Sequence, residues 1–381
     1  MKKVLFLNKE HMKKRIIILS LLLPLLGGCV YSNKSPESQT QKETVVIGYI
    51  GPQSGDSAII GEANLEGVRL AFDQLKQDLE DKYDLQLKVE DDQFDEKQTI
   101  SAYQKLTTFD GADYILTATY GGVLSLAQQA QNDEKILINS LDSSEELAGL
   151  SDNTFAIGIY DESIGYTLAD YLNKEGKDSV GVIILKDPFT ELVKGALQEK
   201  FSGKIIEVPY TGTEVDYRSM LLKTQNTDAL VLLGWEETGR IVKQARELGM
   251  TQTIVGIDTF ASEDFRKNTQ GSYNGLKFAF WTGSQDNMYY ADLLKKYKEV
   301  YNKEPENILF TATGYDSMRV LGLAIEKCGK DVSCVAENIA NTKDFPGATG
   351  SITLDKDHIT RSIKEFIHYY SDGQIKELKN L

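Results

Sequence analysis

Short apolar runs alternate with stretches of helical spacing along most of the chain. The runs are rich in β-branched residues and nearly continuous in apolar ones, which is typical of strands buried on both faces of a sheet. Eight of them predict strands, at residues 45–50, 85–90, 113–117, 135–139, 179–185, 204–208, 229–233 and 253–257. The stretches between carry apolar residues at helical steps, as at Val68, Phe72 and Leu75. This alternation predicts α/β architecture with parallel sheets covered by helices. The 381 residues exceed one core of ordinary size, so we expect two lobes, each a doubly wound parallel sheet.

The first 28 residues have the pattern of an export signal. Residues 1–15 are basic, and Ile16 to Leu26 form an apolar run broken only by Ser20 and Pro24. A helix of this length spans about 16 Å, roughly half of a hydrocarbon core, so it is too short for a membrane anchor. Leu-Gly-Gly before Cys29 resembles a bacterial lipobox, in which the cysteine is lipidated. An ordinary secretory signal with an incidental cysteine is the alternative. Residues 29–43 are polar and predict a flexible tether.

The rest of the chain is strongly acidic. The sequence contains 42 Lys and Arg against 57 Asp and Glu, a net charge of −15. Residues 1–28 contribute a net +5, so their removal leaves −20. Such a body repels phosphate backbones and anionic lipid, which excludes nucleic acid as a partner.

Two further cysteines, Cys328 and Cys334, lie in the run CGKDVSC. An exported chain folds where thiols are scarce, so a local disulfide is the favoured interpretation. A metal site would need further His or Cys ligands, and the body contains only His358 and His368. We therefore expect a structural disulfide, and neither a metal nor a cofactor.

Polar loops follow the predicted strands, at 51–55, 119–122, 140–144, 187–189, 234–236 and 258–260. In doubly wound sheets, ligands bind outside the carboxyl ends of strands, at helix N-termini. These loops carry no recognisable catalytic motif: GPQSG at 51–55 is not a GxSxG nucleophile elbow, and neither GxGxxG nor GxxxxGK[ST] occurs. Glu90, Asp91 and Asp92 resemble a catalytic acid pair, but a loop of the scaffold is the better interpretation. Positive evidence for catalysis is therefore absent from the sequence, and we do not expect an enzyme.

Four segments resemble, in order and spacing, the type I periplasmic binding proteins, in the branched-chain amino acid (Leu/Ile/Val) branch that serves ABC transporters. They are 47–72 (IGYIGPQSGDSAIIGEANLEGVRLAF), 89–106 (VEDDQFDEKQTISAYQKL), 155–172 and 215–250. The resemblance runs from about residue 44 to the C-terminus. It implies two lobes that are joined by three hinge crossovers and close on a ligand. One lobe would hold 44–160 plus 284–348, and the other 161–283 plus 349–381.

The resemblance places groups for a ligand carboxylate on the first lobe. Gly121 and Gly122 precede a helix near Val123, where exposed backbone N–H groups suit an anion. A tight turn between strand and helix is the alternative. The family usually has Gly-Pro-x-Ser-Ser in this loop, so its serine hydroxyl is missing here or replaced by Thr119 or Tyr120.

The next loop also departs from the family pattern. Ser144 falls on the position of a ligand-binding hydroxyl, whereas Asp142 brings an unexpected carboxylate to the cleft. Asp142 would either pair with a second cation of the ligand or cap the next helix together with Ser143, and the cap is slightly favoured. Ser54 and Ile60, which falls where family members shape the side-chain pocket, complete the set from this lobe.

The second lobe would bind the ligand ammonium. Asp258 ends a strand and aligns with the acidic residue that receives the ammonium in amino-acid-binding members, with N-capping of a helix near Glu263 as the alternative. Trp235 aligns with an aromatic wall of the pocket, with a place in the core as the alternative. Phe189 stands where many members have tyrosine, so it can pack but cannot donate a hydrogen bond.

These expectations describe an extracytoplasmic solute-binding lipoprotein of an ABC importer, anchored to the outer face of a bacterial membrane. Its partners would be a small amino-acid-like ligand and a membrane permease. A sensory or regulatory lipoprotein of the same fold is the alternative. The candidate residues favour a small polar ligand with a cationic nitrogen, and leave amino acids, amides and polyamine-like cations open.

Overall fold

The computed structural model describes residues 42–55, 57–284 and 286–379. The predicted signal peptide, Cys29 and nearly all of the predicted tether lie outside the described residues. The strands of the described part are β1 Glu43–Gly51, β2 Tyr83–Asp91, β3 Tyr114–Thr117, β4 Ile136–Asn139, β5 Asp142–Ser143, β6 Thr154–Ala156, β7 Ile159–Tyr160, β8 Ser179–Leu185, β9 Lys204–Tyr210, β10 Ala229–Leu233, β11 Thr253–Gly256, β12 Lys277–Phe280, β13 Phe345–Gly347, β14 Gly350–Ile352, β15 Phe366–Ser371 and β16 Gln374–Glu377. The helices are α1 Ala58–Asp78, α2 Glu96–Thr108, α3 Tyr120–Asn132, α4 Glu162–Lys174, α5 Pro188–Lys200, α6 Arg218–Thr224, α7 Thr238–Glu247, α8 Glu263–Thr269, α9 Met288–Tyr301, α10 Ile308–Cys328 and α11 Val332–Ala340.

The first sheet is parallel throughout, with strand order β2-β1-β3-β4-β6. Its order reverses between β1 and β3, because β2 lies on one side of β1 and the later strands lie on the other. Such a reversal leaves a crevice at the carboxyl ends of the two strands, where the following loops diverge. The loops after β1 and β3 therefore frame the first candidate ligand surface.

The second sheet has the order β16-β15-β12-β11-β10-β8-β9. Strands β8 to β12 are parallel and reverse order between β8 and β10, as in the first sheet. At its far edge, β15 pairs antiparallel with β12 and β16 pairs antiparallel with β15, so this sheet is parallel over five strands and mixed at the edge, which the sequence did not predict. The loops after β8 and β10 frame a second candidate surface.

Two hydrophobic cores flank each sheet, and they show where the chain passes from one sheet to the other. Residues up to Tyr160 pack around the first sheet, and residues from Ile164 pack around the second. The chain returns to the first sheet at Trp281, which packs in the first core, and it leaves that core after Ile363. Ile367 packs in the second core.

These crossings bear on where one lobe would pass into the other. Ile352 and Ile363, beyond the expected boundary at residue 349, lie in the first core, and the lobe boundaries stay a prediction. Residue Ile359 also bridges to Ala156 beside β6. We propose lobes of 44–160 plus 281–363 and of 164–280 plus 366–379, with the third crossover at 364–365.

Helices α1 and α10 pack closely against each other beside the first sheet because each has a glycine at the contact. A β-carbon at Gly67 would lie 1.9 Å from the carbonyl oxygen of Thr311, and one at Gly314 would lie 2.2 Å from that of Asn64. Neither position could hold a larger residue without moving a helix. This contact connects residues far apart in sequence within the first core.

The turn between α10 and α11 brings Cys328 and Cys334 together. Their Cα atoms are 5.6 Å apart and their sulfur atoms are bonded in the structure. Asp331 begins the next helix by accepting a hydrogen bond from the backbone N–H of Cys334 at 3.0 Å. The pairing matches the expected position of the disulfide, whose oxidation in the exported protein stays a prediction. Among the described helices, none combines the length and apolarity that a bilayer crossing requires.

Candidate functional site

The loop after β1 is held to the end of β2 by Asp91. The hydroxyl of Ser54 donates to Asp91 Oδ2 at 2.6 Å, and the backbone N–H of Gln53 donates to Oδ1 at 2.9 Å. Ser54 is thus engaged in holding its own loop. Ile60, in the first turn of α1, is half-buried against the first core.

The N-terminus of α3 presents backbone donors after β3. Thr119 precedes the helix, and its hydroxyl donates to the buried carboxylate of Asp92, so it is not left open for a ligand. Gly122 packs against α2, because a β-carbon there would lie 2.5 Å from Thr99 Cγ2. Gly121 has open space beside it. The first N–H groups of a helix have no carbonyl partner within it, so this end of α3 can receive an anion.

The loop after β4 is fixed by Ser143 and Ser144 in different ways. Ser143 is buried and donates its hydroxyl to the carbonyl of Thr360 at 2.8 Å, which is a structural role. Ser144 accepts from the backbone N–H of Glu146 at 3.2 Å and caps the short 3₁₀ turn that follows. The expectation that Asp142 and Ser143 form this cap is therefore wrong.

Ser144 also connects this loop to α3. Its hydroxyl lies 3.0 Å from the hydroxyl of Tyr120, which in turn donates to Glu146 Oε2 at 2.7 Å. Burial raises the pKa of Tyr120, and the negative charges of Glu146 and Asp142 add to the shift. Tyr120, Ser144 and Glu146 therefore form one hydrogen-bonded group between α3 and the loop after β4.

An aromatic pair stands at the order reversal of the second sheet. Phe189 in the first turn of α5 and Trp235 after β10 stack with ring centroids 5.7 Å apart and an angle of 15° between planes. Trp235 is 36% exposed, so it is not a core residue. The pair offers an open aromatic face beside the loop that follows β11, where Thr259 donates to the carbonyl of Gly234 at 3.1 Å.

Asp258 begins that loop directly after β11. It does not cap α8, because Ser262 does so by accepting from the backbone N–H of Phe265 at 3.1 Å. Desolvation raises the pKa of Asp258 to about 6, and the charge of Glu236 adds to the shift. A carboxylate that is short of water and faces another acid is poised to take a cation.

Three acids that the sequence analysis did not single out surround this region. Asp161 and Glu162 lie in the first crossover at the start of α4, and Glu365 lies in the third crossover. All three are buried, with exposures of 4%, 7% and 3%. We call them, together with Asp142 and Asp258, the acid cluster.

Backbone contacts place most of the acid cluster in one neighbourhood. Strand β5, which contains Asp142, pairs with β7, and the N–H of Asp161 donates to the carbonyl of Ser143 at 3.0 Å. The carbonyl of Glu365 accepts from the hydroxyl of Thr167 in α4 at 3.1 Å. The first and third crossovers therefore lie side by side.

The charges of acids from several parts of the chain act on Asp161. Burial raises the pKa of Asp161, and the charges of Asp142, Glu162, Glu365 and Asp258 all raise it further. Asp142 lies in β5, which pairs with β7 before the first crossover, and Asp258 lies in the loop after β11, yet the charge of each raises the pKa of Asp161. Burial also raises the pKa of Asp142 to about 7. The two predicted residues thus influence one carboxyl group, whereas Ser54, Thr119 and Ser143 are tied to other partners.

Within the described residues, the acid cluster has no ion-pair partner. Arg361 does influence the acid cluster, because its positive charge lowers the pKa of Glu162. Its guanidinium is occupied by Glu145, at 2.8 and 2.7 Å, and by Asp355. The described residues also contain no group of acids, histidines and cysteines arranged to hold a metal ion.

A fold of two doubly wound sheets joined by three crossovers, with polar loops at both order reversals, defines a two-lobed binding protein. Residues 44–362 match the family of the periplasmic binding proteins, and the chain belongs to that family. The family consists of extracytoplasmic solute-binding proteins and not enzymes, so the resemblance, fold class and lack of catalysis expected from the sequence are confirmed.

Solved structures share this fold at low sequence identity. The branched-chain amino acid transporter substrate-binding protein LivJ of Streptococcus pneumoniae, in complex with isoleucine, is 24% identical with a TM-score of 0.74, over 88% of this chain and 98% of that one. The leucine-binding protein LivK of Thermotoga maritima is 22% identical with a TM-score of 0.73, over 88% and 97%. A solute-binding protein of R. palustris in complex with benzoate is 17% identical with a TM-score of 0.72, over 88% and 95%. A comparison with curated proteins gives no match.

Proposed function

We propose that this chain is the solute-binding lipoprotein of an ABC importer and captures a small amino-acid-like ligand with a cationic nitrogen by closure of its two lobes. The observation that supports this most directly is the group of buried acids at the two adjacent crossovers, where the N–H of Asp161 donates to the carbonyl of Ser143 and the carbonyl of Glu365 accepts from Thr167, and where the charges of Asp142 and Asp258 both raise the pKa of Asp161. A ligand held there would contact both lobes and would bias the hinge toward closure.

Each part of the site has a role in this proposal. The N-terminus of α3 at Gly121 would receive a carboxylate, with the hydroxyls of Tyr120 and Ser144 beside it. Asp258 would accept from the ammonium, and the face of Trp235 would cover it. Benzoate, bound by the R. palustris protein, has no cationic nitrogen and would be repelled by the acid cluster here.

Ligand binding is tested by a thermal-shift screen of residues 30–381 after refolding to remove any retained solute. Amino acids, amides, amines and aromatic acids are compared at equal concentration. We expect stabilisation by compounds with a cationic nitrogen, amounting to about 2.7 kcal/mol at a hundred times the dissociation constant. Stabilisation by benzoate and not by any amine would contradict the proposal.

Lipid anchoring is tested separately, at Cys29. In cells grown with a labelled fatty acid, we expect the wild type to carry the label and to sediment with membranes, and Cys29→Ser to lose the label, because the thiol is the acceptor. Ser32→Ala, three residues further on, is the matched control and should retain it. A labelled Cys29→Ser protein would show that the anchor lies elsewhere.

A further inference from the structure

Two carboxylates of the acid cluster point to a ligand group that the proposed function does not yet use. Glu365 Oε2 and Glu162 Oε2 are buried, and neither has a hydrogen-bond partner among the described residues. A buried charged oxygen without a partner costs free energy, so a protein usually supplies one from its own chain. Here the chain supplies none.

One cationic nitrogen would leave the acid cluster with excess negative charge. An α-ammonium group at Asp258 has three N–H donors, which satisfy one or two carboxylates. Asp161 and Glu162 lie at the start of α4, the N–H of Glu365 lies 3.5 Å from the hydroxyl of Ser163 in the same turn, and Asp142 lies in β5, which pairs with β7 just before Asp161. The negative charge that these acids can carry exceeds the charge of one ammonium group, so a second cation can bind beside the first.

That second cation is organic in character. Metal binding would need several oxygen ligands converging on one point, and no such group occurs in the described part of the chain. An ammonium group on a flexible chain can donate to carboxylates that are spread along a cleft. The stacked pair of Phe189 and Trp235 offers apolar surface along which the methylenes of such a chain would pack.

We propose that the acid cluster binds a second ammonium group, so that the captured solute is a dibasic α-amino acid or a diamine and not a branched-chain amino acid. This inference rests on the proposed solute-binding function and names its ligand class. The shared chemistry is a primary ammonium at the end of a short aliphatic chain. Glu365 and Asp161 neutralise it between the first and third crossovers, where the lobes hinge.

The experiment compares ligands that differ only in that ammonium. Dissociation constants of the mature protein are measured calorimetrically for L-lysine against L-norleucine, and for putrescine against butylamine. We expect each dication to bind about tenfold or more tightly than its monocation, because one charge-assisted hydrogen bond has that effect. Lysine binding without putrescine binding identifies a dibasic amino acid, and putrescine binding identifies a diamine.

Two variants assign the effect to the acid cluster. Glu365→Gln and Asp161→Asn keep the side-chain size, and we expect each to reduce the preference for lysine over norleucine about tenfold. Glu326→Gln, exposed on α10, is the matched control and should leave that preference unchanged. Melting curves of each variant verify folding.

The outcomes separate the inference from the function on which it rests. If norleucine or leucine binds as tightly as lysine, and Glu365→Gln leaves that ratio unchanged, the inference is wrong and the amino-acid-binding function stands. If no amine or amino acid binds at all, both are wrong.

Discussion

Replacing Asp161 by asparagine should make the ligand-free protein more stable at pH 7.5. Asp161 is buried, has no ion-pair partner among the described residues, and faces the charges of Asp142, Glu162, Asp258 and Glu365. Removal of its charge at constant size should raise the free energy of unfolding by on the order of 1–3 kcal/mol. Calorimetry should show a rise in melting temperature of about 2–4 °C per kcal/mol.

The raised pKa values of the acid cluster should also make the stability of the protein depend on pH. Carboxyls with a raised pKa bind more protons in the folded state than in the unfolded state, where the aspartate pKa is 3.8. Stability from these groups therefore falls as the pH rises from about 4 through the folded pKa values, about 6 for Asp258 and about 7 for Asp142. The charge of Glu236 raises the pKa of Asp258 and so increases this loss of stability, whereas the charge of Arg361 lowers the pKa of Glu162 and so reduces it.

Groups with a lowered pKa act in a different pH window. Hydrogen bonds from Arg361 lower the pKa of Glu145 to about 2, so its contribution is present above the ordinary value of 4.5 and is lost toward pH 2. Between pH 5 and 7.5 the acid cluster should dominate, and Asp161→Asn should show a shallower decline than the wild type.

Asp228→Asn is the matched control with the opposite expectation. Asp228 is exposed and accepts from the backbone N–H and the hydroxyl of Ser179, both at 2.8 Å, which lowers its pKa. Its loss should destabilise the protein at pH 7.5. If Asp161→Asn instead destabilises the protein, or if its pH profile matches the wild type, the acid cluster is not the strained element described here. A gain in stability with weaker ligand binding would fit a binding site that is maintained at a cost to the fold.

Local pattern was sufficient to predict the strands that form the sheet interiors. All eight predicted strands are present, and their ends differ from the expectation by at most two residues. The central strands, such as β3, β4 and β10, are buried along their whole length because helices cover both faces of the sheet, so their apolar residues are consecutive in the sequence. Four strands of the two large sheets, β6, β12, β15 and β16, were not predicted, since TFA and KFAF are very short and FIHYYS and QIKE carry polar residues.

Residues of the candidate site could be predicted from the sequence only where their position in a loop after a strand was enough to single them out. Asp258 and Trp235 follow strands, and the rule for strand ends located both. The burial of Asp161 and Glu365 depends instead on two crossovers that are about 200 residues apart in sequence and meet through Ser163 and Thr167. In the sequence, Asp161 and Glu162 before α4 have the ordinary pattern of acids at a helix N-terminus, and nothing local distinguishes them from exposed ones.

Removal of both Asp258 and Trp235 should abolish ligand binding more completely than any other pair of changes. A charge-assisted hydrogen bond to Asp258 contributes about 1.5–3 kcal/mol, and an ammonium over the face of Trp235 contributes about 0.5–2 kcal/mol. The double alanine variant should therefore bind about 30-fold to several-thousand-fold more weakly than the wild type. Isothermal titration of the wild type, both single variants and the double variant, with the amino acid or amine found in the screen, gives these values.

The coupling between the two changes tests the geometry itself. If one ammonium group contacts both side chains, the losses in the single variants should add to more than the loss in the double variant, because either change alone displaces the shared group. Phe109→Ala and Asp152→Ala, at exposed positions on the first lobe, are the matched controls and should leave affinity unchanged. Strictly additive losses would mean that the two residues hold different parts of the ligand, and unchanged affinity in the double variant would place the pocket elsewhere. A shared ammonium would place that group at the end of β11, where the charge of Asp258 also acts on Glu365 in the third crossover. Ligand charge and lobe closure would then be coupled through one carboxylate.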